Sequence, residues 1–145
     1  MADIAYTAPI ERSADVSVFR LYLLRAMYLL IAIGLGSDIW PLIFHHRPWD
    51  DHMHSVAVAL LASLSGLALL GVRYPLQMLP LMFFEFVWKA IWLSYTGIPL
   101  WLANAVDDNT ANDMFAIGMG LVIPFLIPWR YVWTHYVKQP GDRWR

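Results

Sequence analysis

Long apolar runs alternate with short polar segments along the whole chain. Each run approaches or exceeds the roughly 20 residues that cross a bilayer as a helix. The pattern therefore predicts an all-α fold, a single membrane domain over 1–145 built as a bundle of four transmembrane helices. The predicted spans cover about residues 19–44, 55–71, 76–96 and 114–136. The remaining segments are interpreted as a cytoplasmic tail, 1–18, and two outer loops, 45–54 and 97–113.

Two local features refine these predicted helices. Small residues in the first two spans, among them Gly36, Ala62 and Gly66, favour close contact between helices. Asn112 or Asp113 precedes the last apolar run and is predicted to cap its helix.

Composition supports the membrane interpretation. The chain is 59% hydrophobic and 14% charged, whereas soluble domains are about 25% charged. Its eight Trp and seven Tyr are typical of aromatic belts at lipid–water interfaces. The absence of Cys excludes disulfides, thiolate metal sites and a Cys nucleophile. A net charge of −1 gives no reason to expect nucleic acid as a partner. Because no His lies in the middle of a span, we predict no haem. We predict no other cofactor.

Charge is distributed unevenly between the two predicted sides of the membrane. With four spans both termini lie on one side, and the other side would hold a single basic residue, Arg47. Basic residues concentrate on the cytoplasmic side of membrane proteins, so both termini are predicted to be cytoplasmic. The basic residues on that side are Arg12, Arg20, Arg25, Arg73, Arg130, Lys138, Arg143 and Arg145.

Three charged residues lie inside the apolar runs. Glu85 and Lys89 are four residues apart in the third span, so a helix points them the same way. Asp38 lies at a comparable depth in the first span. Each such group costs roughly 2.5–3.5 kcal/mol near the bilayer centre, so the three are predicted to pair as a structural lock or to form a ligand, proton or ion site. The predicted ligand-binding residues are Asp38, Met82, Glu85, Trp88, Lys89 and Trp92.

The segment HHRPWDDHMH has a high density of nitrogen and oxygen ligands. Zn²⁺ and Cu²⁺ accept such ligands, but the spacing matches no established motif, so a metal site and a solvated hairpin both remain open. The metal-ligand candidates are His45, His46, His52 and His54.

Two stretches carry a resemblance to known families. YPLQMLPLMFFEFVWKAIWL and IPWRYVWTHYVKQPGDRWR resemble an uncharacterised family of small bacterial four-helix inner-membrane proteins with a DoxX-like layout. That resemblance implies a multi-pass protein of the bacterial inner membrane and no particular chemistry. FFEFVWKAIW and VIPFLIPW are more weakly similar to the emopamil-binding four-helix fold, in which intramembrane acids line a sterol-like pocket. Here the acid is on the third helix and the second has none, so no catalytic residue is carried over.

Three functions follow from these patterns. The first is a bundle, alone or as a homo-oligomer, that binds a lipophilic or ionic ligand near the charged cluster. The second is an intramembrane enzyme or redox accessory acting on a lipid-soluble substrate. The third is a structural or assembly subunit of a membrane complex, with the cluster as a lock. No set of nucleophile, base and orienting residue is visible, so no catalytic residue is predicted and enzyme activity is left open.

Overall fold

The computed structural model describes residues 16–45 and 52–140, and within these ranges the chain is helical and forms no strand. Its helices group into two compact units. The first unit combines Met1–Met78 with Pro128–Arg145, and the second is Leu79–Ile127.

Two long helices dominate the first unit. Helix α1 runs over Val18–Phe44 and α2 over His52–Arg73. The side chain of Ser17 caps α1 by accepting a hydrogen bond from the backbone N–H of Arg20, at 3.3 Å. The contacts of Ser65 with Ala32 and of Gly71 with Tyr28 make the two helices antiparallel neighbours. Their buried residues form the core of this unit. One cluster of that core contains Ile39, Val58 and Ala62.

Small side chains let α1 and α2 approach closely, as the sequence predicted. Ser65 Oγ donates a hydrogen bond to the carbonyl oxygen of Ala32, at 3.0 Å. A Cβ atom added to Gly36 would lie 3.1 Å from Ser65 Oγ, and one added to Gly71 would overlap the buried ring of Tyr28. Gly66 behaves differently, because an added Cβ would meet nothing within 4 Å. The predicted contact through Gly66 is therefore wrong within this chain.

A short C-terminal segment completes the described part of the first unit. Helix α7, Trp129–Val132, continues as a π-helical turn over Trp133–Lys138. The ring of Tyr131 is buried and stacks on His135 with centroids 3.9 Å apart.

The second unit is made of shorter helical pieces. Helix α3, Leu79–Trp92, continues through a π-helical turn at Leu93–Gly97 into α4, Ile98–Leu102. After a turn come α5, Asp108–Gly118, a 3₁₀ turn at Met119–Val122 and α6, Ile123–Leu126.

Asp107 caps α5. Its side chain accepts a hydrogen bond from the backbone N–H of Thr110 at 2.8 Å, and hydrogen bonds from the Thr110 side chain and backbone lower the pKa of Asp107. The predicted cap at Asn112 or Asp113 is therefore wrong, because the helix begins one turn earlier. Within the predicted outer loop, 97–113, residues 103–107 are not helical, and helix lies on both sides of them.

The helices α1 and α2 are long and apolar enough to cross a membrane. A third span exists only if Asp108–Leu126 and Trp129–Lys138, which are separated by a break at Ile127 and Pro128, cross together. The structure thus supports two to three spans and not yet the predicted four. The predicted third span, 76–96, is divided because the residues after Pro75 form a turn and α3 begins only at Leu79.

Candidate functional site

Helix α3 has one buried face, and the predicted ligand-binding residues of this helix lie along it. Met82 and Glu85 are buried, and Lys89 and Trp92 are half-buried. Spacings of three and four residues place these four side chains on one side of a helix. The opposite side is exposed and apolar, and it carries Phe84, Val87 and Ile91.

Glu85 and Lys89 form an ion pair on the buried face, as their spacing predicted. Lys89 Nζ lies 2.8 Å from Glu85 Oε2, and the Glu85 side chain is 0% exposed against 13% for Lys89. Trp88 Nε1 donates a hydrogen bond to the same oxygen, at 3.2 Å. The ammonium also lies 5.3 Å from the centroid of the Trp88 ring, within the range of a cation–π contact. Oε2 therefore receives two donors.

The second oxygen of this carboxylate is left over. Glu85 Oε1 is buried and has no hydrogen-bond partner among the residues that the structure describes. A buried acceptor without a donor costs about 1–3 kcal/mol, so such atoms are uncommon in folded proteins. Because Lys89 already compensates the charge, what Oε1 lacks is a donor and not a cation.

Gly120 makes room for the ion pair. The aliphatic stem of Lys89 passes so close to Gly120 that an added Cβ would overlap Lys89 Cδ. The absence of a side chain at Gly120 thus lets the long lysine stem lie against the neighbouring backbone. Sequence reasoning missed this residue. A glycine in an apolar helix is the available signal, but the pattern does not reveal which partner it faces.

The other predicted ligand-binding residues are distributed between the two units. Trp92 packs within the second unit, where an added Cβ on Gly97 would lie 3.4 Å from its ring and 3.5 Å from Met114 Cε. Asp38 belongs to the first unit and is exposed on α1. The cluster of Asp38 with Glu85 and Lys89 therefore stays a prediction.

The predicted histidine cluster is only partly described. His45 follows α1 directly, and His52 and His54 lie in the first turn of α2, exposed and in a helix where a hairpin was predicted. His46 lies outside the described residues. Within 16–45 and 52–140, no three or more His, Cys, Asp or Glu side chains are grouped so that they could hold a metal ion.

A shallow, open groove of about 460 Å³ lies on the opposite side of α3 from Glu85. Its lining is almost wholly apolar, so it suits lipid chains more than polar chemistry. The lining residues are Phe86, Val87, Ala90, Ile91, Ser94 and Tyr95.

Comparison of the chain with protein-family models, with curated proteins and with solved structures finds no match. The resemblance to DoxX-like and emopamil-binding proteins accordingly stays a prediction.

Proposed function

We propose that this chain is a small membrane protein that binds a lipophilic ligand through the Glu85–Lys89 pair. The observation that carries the proposal is the buried Glu85 Oε1, which has no donor among the described residues. A ligand with a hydroxyl or N–H group would supply that donor.

The chemistry of the pair selects the class of ligand. Lys89 compensates the charge of Glu85 at 2.8 Å, so a second cation would leave an excess positive charge in an apolar environment. A neutral donor adds a hydrogen bond without adding charge. Hydrogen bonds to charged acceptors contribute about 1.5–3 kcal/mol. The ligand is therefore a neutral apolar molecule with one polar end, such as an isoprenoid alcohol or a quinol.

The surroundings of the pair suit such a molecule. The buried Met82 lies one turn before Glu85 on the same face, and the Trp88 indole is held in place by its bond to Oε2. Binding sites for small molecules are commonly apolar with a few fixed polar groups. The Met82, Glu85, Trp88 and Lys89 side chains match that description.

We further propose that the protein lies in a bacterial inner membrane, with four spans and both termini in the cytoplasm. The apolar α1 and α2 and the single basic residue on the predicted outer side, Arg47, support this placement. The fourth span requires α3 and α4 to cross together as one interrupted helix.

A matched pair of ligands tests the proposal. Farnesol carries a hydroxyl donor, and farnesyl methyl ether has nearly the same apolar body without the donor. In detergent, farnesol should raise the unfolding temperature and bind about tenfold or more tightly than the ether, as expected for a hydrogen bond to a charged acceptor. The Glu85→Leu/Lys89→Leu double variant should lose this preference without leaving an unpaired charge. The Ser94→Ala variant, altered at an exposed position of the π-helical turn that follows α3, should keep it.

A structural lock is the second candidate, favoured by the two donors on Oε2 and the fit of Lys89 against Gly120. Its signature is different. A lock predicts equal, weak effects of farnesol and its ether in the wild type, whereas a loss of stability when the pair is broken is expected of both candidates.

A further inference from the structure

Among the residues that the structure describes, one end of the first unit carries three cations and no carboxylate. Arg20 and Arg25 lie in the first turns of α1, and Arg73 is the last residue of α2. Because the two helices are antiparallel, the three cations lie at the same end. Among the residues of this unit that the structure describes, the acidic side chain is Asp38, near the opposite end of α1.

Arg25 is more buried than the other two cations. It lies seven residues into α1, about 10 Å from the start of the helix, and it is half-buried. Its guanidinium carbon lies 5.5 Å from the centroid of the Tyr22 ring, and no ion pair to it exists in the described part of the chain. A cation at this depth of a span is costly unless an anion or water reaches it. Its long stem lets the charge extend towards the head groups.

The neighbouring helix brings a second guanidinium to a similar level. Tyr28 on α1 packs against Gly71 on α2 and donates a hydrogen bond to the carbonyl oxygen of Pro75, at 3.1 Å. Arg25 lies about 4.5 Å before Tyr28 along α1, and Arg73 about 3 Å beyond Gly71 along α2, at 1.5 Å per residue. Both steps lead towards the same end, so the two arginines differ in depth by less than about one helical turn.

We propose that Arg25, assisted by Arg73, binds the phosphate of an anionic phospholipid. A guanidinium presents a planar set of donors that matches phosphate oxygens. Arg73 Nε donates to the Tyr74 hydroxyl at 3.0 Å, which fixes this side chain and leaves its terminal nitrogens for a ligand. The bound phosphate supplies a negative charge opposite these two guanidinium groups.

The apolar surface around Arg25 favours a lipid over a soluble phosphate. Phe19 and Tyr22, on the preceding turn of α1, are 73% and 62% exposed. Acyl chains attached to the phosphate would cover this surface, whereas a free phosphate ion would not. The site is independent of the Glu85 pair, since it lies in the other unit and takes a different ligand.

Lipid titration in detergent tests the proposal. Dioleoyl phosphatidylglycerol and dioleoyl phosphatidylcholine are added separately to the purified protein, and bound lipid is counted by native mass spectrometry. The wild type should prefer phosphatidylglycerol, and Arg25→Gln should weaken its binding about fivefold, the value of one basic residue at an anionic surface. Arg25→Lys should keep most of the preference. Arg20→Gln is the matched control, because Arg20 is exposed in the first turn and has no cation–π contact among the described residues.

Three results would overturn the assignment. The first is equal binding of the two lipids by the wild type. The second is an equal loss of binding in Arg20→Gln and Arg25→Gln, which would indicate general attraction to any cation. The third is equal binding of glycerol 3-phosphate, which would indicate a soluble phosphate site. The binding of the two lipids is compared within each variant. A general loss of stability in Arg25→Gln therefore does not obscure the comparison.

Discussion

At the scale of single residues, Glu85 combines a compensated charge with an unsatisfied oxygen. Lys89 and Trp88 both contact Oε2, while Oε1 is buried without a donor. A buried ion pair is weak evidence for stability in itself, because desolvation offsets much of the attraction. The asymmetry of the two oxygens is more informative, since a lock that was fully satisfied would leave nothing for a ligand.

Removing Lys89 alone from the pair should strongly destabilise the protein. Lys89→Met leaves the buried Glu85 carboxylate without its cation and should cost about 3–5 kcal/mol in the free energy of unfolding. Adding Glu85→Gln removes the orphaned charge, so the double variant should be more stable than Lys89→Met alone. Chemical unfolding of the wild type, the two single variants and the double variant gives the coupling energy. Lys138→Met, which removes an exposed lysine, should change the free energy of unfolding by less than about 0.5 kcal/mol.

Additivity of the two single changes would contradict this view of the pair. If the two single-variant changes in unfolding free energy sum to that of the double variant within about 0.5 kcal/mol, the side chains do not interact. Glu85 would then be an isolated intramembrane acid, and the selection of a neutral ligand would lose its basis.

At the scale of elements, two glycines leave room for a neighbouring side chain, and each has a matched control nearby. Gly71 faces the buried Tyr28 ring, whereas Gly66 on the same helix faces open space. Gly71→Ala should therefore destabilise the contact between α1 and α2 by about 1–3 kcal/mol, the usual cost of overpacking. Gly66→Ala should be neutral or stabilising, because alanine is the better helix former. Thermal unfolding in detergent checks both, and equal effects would show that the helices do not cross at Gly71.

Gly120 and Gly118 form the second comparison. An added Cβ on Gly120 would overlap the Lys89 stem, and one on Gly118 would meet nothing within 4 Å. The lysine stem is flexible, so Gly120→Ala should displace Lys89 and weaken the ion pair, with little cost to the backbone. We expect this loss of stability to disappear in the Glu85→Gln/Lys89→Met background. A loss that persists there would mean that Gly120 packs against something other than the pair. Gly118→Ala should be neutral in both backgrounds.

The sequence predicted the long helices well and the broken ones poorly. The length of the apolar runs predicted helices over 19–44 and 55–71. The structure has α1 over Val18–Phe44 and α2 over His52–Arg73. Hydropathy does not register local events in the backbone, such as the turn after Pro75 or the cap at Asp107. These events divide the second half of the chain into short helices.

The same limit applies to the site. A spacing of four residues was enough to predict the Glu85–Lys89 contact, because it follows from helical geometry alone. Contacts between helices depend on rotation about each helix axis, which the sequence does not fix. For that reason Gly120 was missed, and the predicted contact through Gly66 was wrong while Gly36 does lie against Ser65.

At the scale of the whole molecule, the number of spans determines the topology. Four spans place both termini on the same side of the membrane, whereas three place them on opposite sides. The chain contains no Cys, so a single introduced cysteine reports its own position without background. We expect Thr7→Cys and Gly141→Cys to be protected from an impermeant maleimide in intact cells, and Arg47→Cys to be labelled. Labelling at one terminus and protection at the other would indicate three spans.

If Glu85 accepts a hydrogen bond from a neutral lipophilic ligand, one measurement can observe its carboxyl group directly. The chain has two glutamates, Glu11 and Glu85, so ¹³C labelling of glutamate carboxyl groups in a Glu11→Gln background leaves a single signal. Titration with farnesol should shift the Glu85 carboxyl resonance to saturation, and farnesyl methyl ether should leave it unchanged. A resonance that responds to neither compound, or equally to both, would contradict the proposal that this carboxylate binds a ligand.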